Sequence, residues 1–85
     1  MYQIILDKKI DKETKSIPEV HMKKIMDKIS ELASNPKPIT STKLVNSDGY
    51  RIIVGDYRVI YTIDEVNEIV CIYKINHRKN IYDNI

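Results

Sequence analysis

The arginines of this sequence are concentrated in one short stretch. Of its 14 basic residues, eleven are lysines spread along the chain, and the three arginines are Arg51, Arg58 and Arg78. A chain that otherwise uses lysine for positive charge gains from arginine a planar guanidinium, whose fork of donors binds a phosphate or a carboxylate through two hydrogen bonds. The stretch from 49 to 82 is therefore expected to contain an anion-binding site.

Other residues of this stretch could exchange protons or add charge. His77 supplies an imidazole, Tyr82 a phenol, and Lys74 and Lys79 further cations. Such groups suit cleavage of RNA without a metal, in which the neighbouring 2′-OH attacks the phosphorus. A base takes the hydroxyl proton, an acid protonates the leaving 5′-oxygen, and cations stabilise the charged intermediate. DNA lacks this hydroxyl and could not react in this way.

The pattern of residues 49–63 predicts a β-hairpin. Gly55-Asp56 is typical of a two-residue turn, here between strands 50–54 and 57–63. Because side chains alternate along a strand, one face of this hairpin is wholly apolar or aromatic and is predicted to pack on the core. The residues of that face are Tyr50, Ile52, Val54, Tyr57, Val59, Tyr61 and Ile63.

Two arginines fall on the opposite face of the hairpin. A two-residue turn pairs Arg51 with Ile60 and Arg58 with Ile53, which sets the arginines diagonally, their backbones about 7 to 8 Å apart. They are either solvent-facing residues that pair with nearby acids, as is usual on an open sheet face, or two cations of one site. The third strand ends beside the start of the second, so residues 74–78 are expected to converge on them.

The remaining elements predict an α+β fold. Residues 1–6 alternate as a first strand, 8–16 favour a short amphipathic helix, and 69–75 form the last strand of a meander. A second helix carries an apolar stripe of Met22, Ile25, Met26, Ile29, Leu32 and Ala33. The expected architecture is an antiparallel β-sheet, made of the N-terminal strand plus the three-stranded meander, packed on one face by the two N-terminal α-helices.

The second helix has recognisable start and stop signals. Ser16 stands three residues before Glu19, as in a capping box, and Pro18 fits the first turn because its missing N–H is not needed there. Asn35-Pro36 is expected to end the helix. Residues 35–48 then predict an extended loop.

Composition limits the class of protein. The chain of 85 residues predicts one domain, 1–85, with a net charge of only +2. A single cysteine, Cys71, excludes an intrachain disulfide and favours the reducing cytoplasm. No signal peptide and no apolar run of about 20 residues is present, so no membrane association is expected. His21 and His77 lack neighbouring acids, and His21 is interpreted as a solvated helix residue, so no metal or cofactor is predicted.

The functional stretch resembles a known family. The segment Gly-Tyr-Arg-x-x-Val-Gly-Asp-Tyr-Arg-Val-Ile-Tyr at 49–61, followed by His-Arg-Lys-x-x-Tyr at 77–82, is similar to the RelE-like branch of the RelE/ParE superfamily of type II toxins. The resemblance covers nearly the whole chain and implies a RelE-like fold. It also implies a metal-independent endoribonuclease, or mRNA interferase, which acts at the ribosome and is neutralised by a cognate antitoxin in a hetero-oligomer.

The resemblance assigns a role to each matching residue. Arg51 corresponds to the first basic position of the active-site strand, and Arg58 to the arginine that stabilises the phosphate. Arg78 corresponds to a second arginine, and Tyr82 to a tyrosine that orients or activates the reacting nucleotide. His77 matches the histidine of the subgroup that ends in His-Arg-Lys-x-x-Tyr.

One position departs from the family pattern. Ile53 stands where the best-studied mRNA-cleaving member has a second lysine. The general base is then hypothesised to be His77 or Tyr82. The residues assigned to RNA binding are Lys43, Lys74 and Lys79.

Two alternatives stay open. The chain could be a non-nuclease, ParE-like inhibitor of gyrase, which would not need the His-Arg-Lys-x-x-Tyr end. It could also be a catalytically weakened toxin that acts in an antitoxin-bound transcriptional repressor complex. In either case, exposed Ile53 and Ile60 on a basic face are expected to suit an antitoxin segment that supplies acids and apolar side chains.

Overall fold

The computed structural model describes residues 1–81, in which five strands form one sheet. The strands are β1 Gln3–Leu6, β2 Thr42–Lys43, β3 Gly49–Val54, β4 Tyr57–Asp64 and β5 Ile69–His77. A 3-10 turn at Lys8–Ile10 leads into helix α1, Asp11–Lys15, and the other helices are α2, Glu19–Glu31, and α3, Arg78–Ile81. The strand order across the sheet is β1-β5-β4-β3-β2.

The α+β class and the antiparallel meander are confirmed, with two differences in the sheet. β1 runs parallel to β5, with Gln3 opposite Ile69 and Leu6 opposite Ile72, which makes the sheet mixed. A parallel neighbour requires a long crossover connection, and here the helices and the rest of the meander provide it. The predicted loop 35–48 also contains β2, which adds a two-residue edge strand to β3.

The β3–β4 hairpin has the predicted register. Its two-residue turn begins at Gly55, whose φ of 61° lies in the left-handed region that favours glycine. The strands pair from Val54 opposite Tyr57 onward, which brings Arg51 opposite Ile60. The apolar face of the hairpin therefore packs toward the helices, and the arginines lie on the other face.

β5 contains a bulge at Tyr73. Ile60 pairs with Lys74, whereas its neighbour Tyr61 pairs with Ile72, so that Tyr73 has no partner opposite it in this ladder. A bulge inserts one residue into one strand, and a shift of one residue exchanges the two faces. The last residues of β5 therefore lie on the faces opposite to those that a regular strand would give them.

The helices pack their buried residues on the apolar face of the sheet. The core cluster consists of Ile10, Ile25, Ile29, Leu32, Ile52, Val59, Tyr61, Val70, Ile72 and Ile75. Met26, predicted as part of the stripe of α2, is 38% exposed because it lies at the edge of that stripe. No helix among residues 1–81 has the length and apolarity needed to cross a membrane.

The start of α2 differs from the prediction. Pro18 is the N-cap, and no side chain caps it. The Ser16 hydroxyl instead donates a hydrogen bond of 2.9 Å to the carbonyl oxygen of Glu13. The expected capping box does not form because Ser16 belongs to the end of α1, where it bonds back to the preceding turn.

Tyr61 ties the sheet to the loop that follows α2. Its hydroxyl donates to the carbonyl oxygen of Pro36 at 2.8 Å, and its ring is fully buried. Burial raises the pKa of the Tyr61 phenol above its ordinary value, since the charged form would lose its hydration. The neutral phenol is therefore the form that this contact uses.

We expect Tyr61→Phe to lower the free energy of unfolding by about 1 kcal/mol, because the Pro36 carbonyl loses its donor while the ring stays in place. The measurement is denaturant unfolding of both proteins. The matched control is Tyr57→Phe on the same strand, where the contacts are between rings, with His21 and His77. An equal loss in both variants would contradict the assignment.

Candidate functional site

The sheet face opposite the core, called the open face below, carries the predicted arginines. Pairing across β3, β4 and β5 arranges its side chains in two rows, Arg51–Ile60–Lys74 and Ile53–Arg58–Asn76. Neighbours in a row have Cβ atoms about 4.5 to 5.5 Å apart, and the rows lie two residues, about 7 Å, apart along the strands. Three cations therefore surround Ile60.

Neither arginine of the rows forms a salt bridge with a carboxylate within residues 1–81. Arg51 Nε is buried and has no hydrogen-bond partner there. Arg58 Nη1 makes only long contacts, at 3.4 Å to the Gly55 carbonyl oxygen and 3.3 Å to that of Tyr57. Among the acids of residues 1–81, the alternative in which both arginines pair with nearby carboxylates is therefore not realised, and neither charge is neutralised by them.

Arg78 lies at the end of the sheet, against the β3–β4 turn. Its backbone N–H donates to the Asp56 carbonyl oxygen at 2.8 Å. Its Nε is 3.9 Å from Asp56 Oδ1, and both side chains are more than half exposed, at 53% and 63%. An exposed ion pair of this length contributes at most about 1 kcal/mol, so an incoming phosphate could take over the guanidinium at little cost.

His77 lies on the other face of the sheet. It pairs with Tyr57 across the ladder, and the two ring centroids are 5.4 Å apart in an edge-to-face arrangement. The opposite side of Tyr57 contacts His21 of α2, also at 5.4 Å. The expected convergence of the strand ends is correct, but the imidazole does not share a face with Arg58, because the bulge has reversed the alternation.

The hydrogen bonding of His77 fixes its tautomer. Its Nδ1 accepts the backbone N–H of Lys79 at 3.2 Å, so the proton of the neutral ring is on Nε2. This contact joins the end of β5 to α3. His21, predicted as a solvated helix residue, is exposed and adds its ring contact with Tyr57.

The three lysines assigned to RNA binding are separated. Lys74 lies on the open face in the row with Arg51, and Lys79 is exposed in α3. Lys43 pairs with Tyr50 and so lies on the core side of the sheet. Its ammonium donates to the Ser47 carbonyl and is 5.5 Å from the centroid of the Tyr50 ring. Lys43 is therefore not part of the open face, since edge-strand pairing turns it away.

Some predictions concern burial or residues beyond those described. Ile53 is 53% exposed as expected, but Ile60 is only 2% exposed. Ile60 lines a cavity with Tyr73 and with residues 44–47 of the β2–β3 connection, and these neighbours cover it.

Tyr82, to which the resemblance assigned a role, lies outside the described residues. Within residues 1–81, no group of three or more His, Cys, Asp or Glu could hold a metal ion.

Sequence reasoning missed Asn76 and Tyr73. Asn76 pairs with Arg58 on the open face, and its Oδ1 accepts the His77 N–H at 3.1 Å. The available signal was the apolar spacing in β5, where Ile72 and Ile75 are both buried although they are three residues apart. Two inward residues at that spacing indicate a bulge between them.

The fold and the open face agree with a family match. The family model described as the ParE toxin of type II toxin-antitoxin systems, parDE, matches residues 4–82. This chain therefore belongs to that toxin family, within the RelE/ParE superfamily. The resemblance noted for residues 49–61 and 77–82 is confirmed at that level.

Individual relatives are of the RelE type. A protein of Methanocaldococcus jannaschii named as a RelE1 toxin is 31% identical over 87 residues, which cover 98% of this chain and 97% of the relative. The archaeal RelE–RelB complex of Pyrococcus horikoshii OT3 contains a chain with a TM-score of 0.81 and 28% identity, covering 93% of this chain and 97% of that one. The RelB–RelE antitoxin–toxin complex of Methanococcus jannaschii gives a TM-score of 0.73 and 26% identity, over 93% and 95%.

Proposed function

We propose that this toxin is a metal-independent endoribonuclease that cleaves mRNA at the ribosome, in the cytoplasm. The proposal is carried by one observation, the presence on the open face of two arginines that no carboxylate of the described residues neutralises. Lys74 adds a third cation in the same row as Arg51. An array of this kind suits a substrate with several negative charges in a line, such as an RNA backbone.

The proposed reaction is an attack of the 2′-OH on its own 3′-phosphate. The O2′–P bond forms and the P–O5′ bond breaks, which leaves a 2′,3′-cyclic phosphate and a 5′-hydroxyl. Arg58 and Arg51 stabilise the additional negative charge of the pentavalent phosphorus. Arg78 binds the phosphate at the sheet end after leaving Asp56, and Lys79 contributes charge beside it.

The roles in proton transfer are proposed from position for His77 and from the family resemblance for Tyr82. His77 lies on the opposite face from Arg58, so we give it a positioning role, through its contacts with Tyr57 and with the Lys79 N–H. Tyr82, on the strength of the family resemblance alone, is assigned to take the proton of the 2′-OH, and a water molecule gives a proton to the leaving 5′-oxygen.

A cognate antitoxin is the proposed regulatory partner. The similar chain of Pyrococcus horikoshii was solved in a RelE–RelB complex. For this chain we propose a hetero-oligomer in which antitoxin acids pair with the free guanidinium groups of the open face. Exposed Ile53 would contribute apolar contact there.

Replacing Arg58 by Ala is expected to lower the rate of mRNA cleavage by at least about a hundredfold, the usual effect of removing one donor to a developing oxyanion. The assay follows purified protein acting on translating ribosomes, with primer extension to locate the cuts. Lys24→Ala, which removes one exposed cation from α2, is the matched control and should keep full activity. Unchanged cleavage by folded Arg58→Ala protein would reject the proposal.

A gyrase inhibitor is the second candidate, because the matching family model is that of the ParE toxins. Cells that express the toxin distinguish the nuclease from the gyrase inhibitor. Intact mRNA together with double-strand breaks in DNA, or poisoning of purified gyrase, would select the gyrase reading. Truncated mRNA with undamaged DNA supports the nuclease.

The placement of the lysines predicts unequal effects on binding. Lys74→Ala should weaken binding of a single-stranded oligodeoxynucleotide, which cannot be cleaved, and reduce the slope of log K against log salt by about 0.7. Lys43→Ala should leave the slope unchanged, because Lys43 lies on the core side of the sheet. Fluorescence anisotropy between low and moderate salt measures both, and equal slopes for the two variants would contradict the geometry.

The assignment of His77 and Tyr82 is tested by their conservative variants. His77→Gln keeps an acceptor for the Lys79 N–H and is expected to lose less than about tenfold in cleavage rate, whereas Tyr82→Phe is expected to lose at least about a hundredfold. Single-turnover rates between pH 5 and 9 provide the readout. A larger loss for His77→Gln, with disappearance of the acidic limb of the profile, would transfer the base role to His77.

A further inference from the structure

Tyr73 lies across the open face. Its backbone belongs to β5, yet its hydroxyl reaches β3, where a Cβ added to Gly49 would lie 2.5 Å from Tyr73 Oη. β4 lies between these strands, which are about 9.5 Å apart. The phenol ring must therefore extend over β4, where it is half-buried and the flexible Lys9 side chain lies over it. Glycine at position 49 is what leaves room for the hydroxyl.

A cavity of about 230 Å³ opens beside this ring. Ile60 and Lys74 of the sheet line it together with Tyr73, and residues 44–47 of the β2–β3 connection form its wall. Pockets for drug-sized ligands usually exceed about 300 Å³. The cavity therefore suits a single planar ring system rather than a larger molecule.

The wall of the cavity is preformed. The Leu44 N–H donates to the Gly49 carbonyl oxygen at 2.9 Å, and the Gly49 N–H donates to Ser47 Oγ at 3.0 Å. Asn46 has φ of 59°, a left-handed conformation that asparagine adopts more readily than most residues. A connection held in this way fixes Asn46, whose side chain has both donors and an acceptor, in the wall of the cavity.

Cations border the cavity on several sides. Lys9 Nζ is 5.5 Å from the centroid of the Tyr73 ring, near the outer limit of about 6 Å for such contacts. Ile60 stands between Arg51 and Lys74 in its row. Arg58 is one row away, about 7 Å along the strand, which is comparable to the spacing of successive phosphates in an extended strand.

We propose that this cavity binds one base of single-stranded RNA, stacked on Tyr73. Lys9 contacts the phosphate of that nucleotide, and the neighbouring phosphate lies on Arg51 and Arg58. The inference rests on the proposed nuclease function and adds a subsite to it. Tyr73 is then a substrate-positioning residue, because it determines which phosphate of the strand reaches the arginines.

The chemistry of the cavity favours a base over a peptide side chain. An aromatic platform interleaved with cations is the usual arrangement in proteins that hold single-stranded nucleic acid, because every base has a face that stacks and every nucleotide carries a charge. A peptide that neutralised Arg51, Lys74 and Lys9 would need several acids around one apolar group. RNA combines a negatively charged phosphate with a flat ring that can stack at every nucleotide.

The test measures binding of AMP, GMP, CMP and UMP to the isotope-labelled full chain by NMR, with ribose 5-phosphate as the probe that lacks a base. The expected shifts are at the amides of residues 44–49 and 73–74, and each nucleotide should bind at least about fivefold more tightly than ribose 5-phosphate. Tyr73→Leu should remove this difference, and Tyr73→Phe should keep it. Lys9→Ala should weaken all phosphate probes, unlike Lys24→Ala on α2.

Several results would overturn the subsite. Equal affinity for ribose 5-phosphate and the nucleotides, shifts confined to other residues, or a Tyr73→Leu protein that still prefers nucleotides would each do so. If Tyr73→Leu does not fold, the subsite is tested by comparing the affinities of the nucleotides and of ribose 5-phosphate for the unchanged chain. A Tyr73→Leu effect on antitoxin binding without one on nucleotides would assign the cavity to a protein. Because these probes are not cleaved, the binding result can be interpreted even if the protein proves not to be a nuclease.

Discussion

The two-residue turn at Gly55 determines which side of the sheet each functional residue occupies. The left-handed φ of Gly55 allows the tight connection, and the turn length sets the pairing of β3 with β4. A slip of one residue in one of the two strands would direct its arginine, Arg51 or Arg58, into the core and expose Ile52 or Val59, which are now buried. Burying an unpaired guanidinium costs several kcal/mol, so the register that builds the core also builds the site.

The hairpin could be predicted from the sequence because its determinants are local. The alternation on both strands and the turn at Gly55 are all contained in 49–63, and the observed pairs agree with that pattern. β5 is different. Val70 and Ile72 are buried, and regular alternation would next bury Lys74, but Ile75 is buried instead. The cost of placing an ammonium in the core makes the bulge the better solution, and it transfers Lys74 to the open face and His77 away from it.

Long-range pairing is what the sequence could not specify in advance. β1 is too short for its own alternation to show the direction of its neighbour, and its parallel pairing with β5 is completed by contacts such as the Asp7 N–H with the Ile72 carbonyl oxygen at 2.9 Å. β2 has only two residues and depends on the β3 edge for its hydrogen bonds. The position of Lys43 follows from that edge pairing, which is why its side of the sheet could not be read from residues 35–48.

Ile53, which departs from the family pattern, lies in the same row of the open face as Arg58. It lies directly beside Arg58 and is 53% exposed, so it does not add the positive charge that the family pattern would place there. Lys74 supplies a cation across Ile60 from Arg51, at a distance of two strand spacings. In the proposed nuclease, Arg51 and Lys74 therefore supply the positive charge near Arg58, and position 53 contributes exposed apolar surface to the face that an antitoxin is proposed to cover.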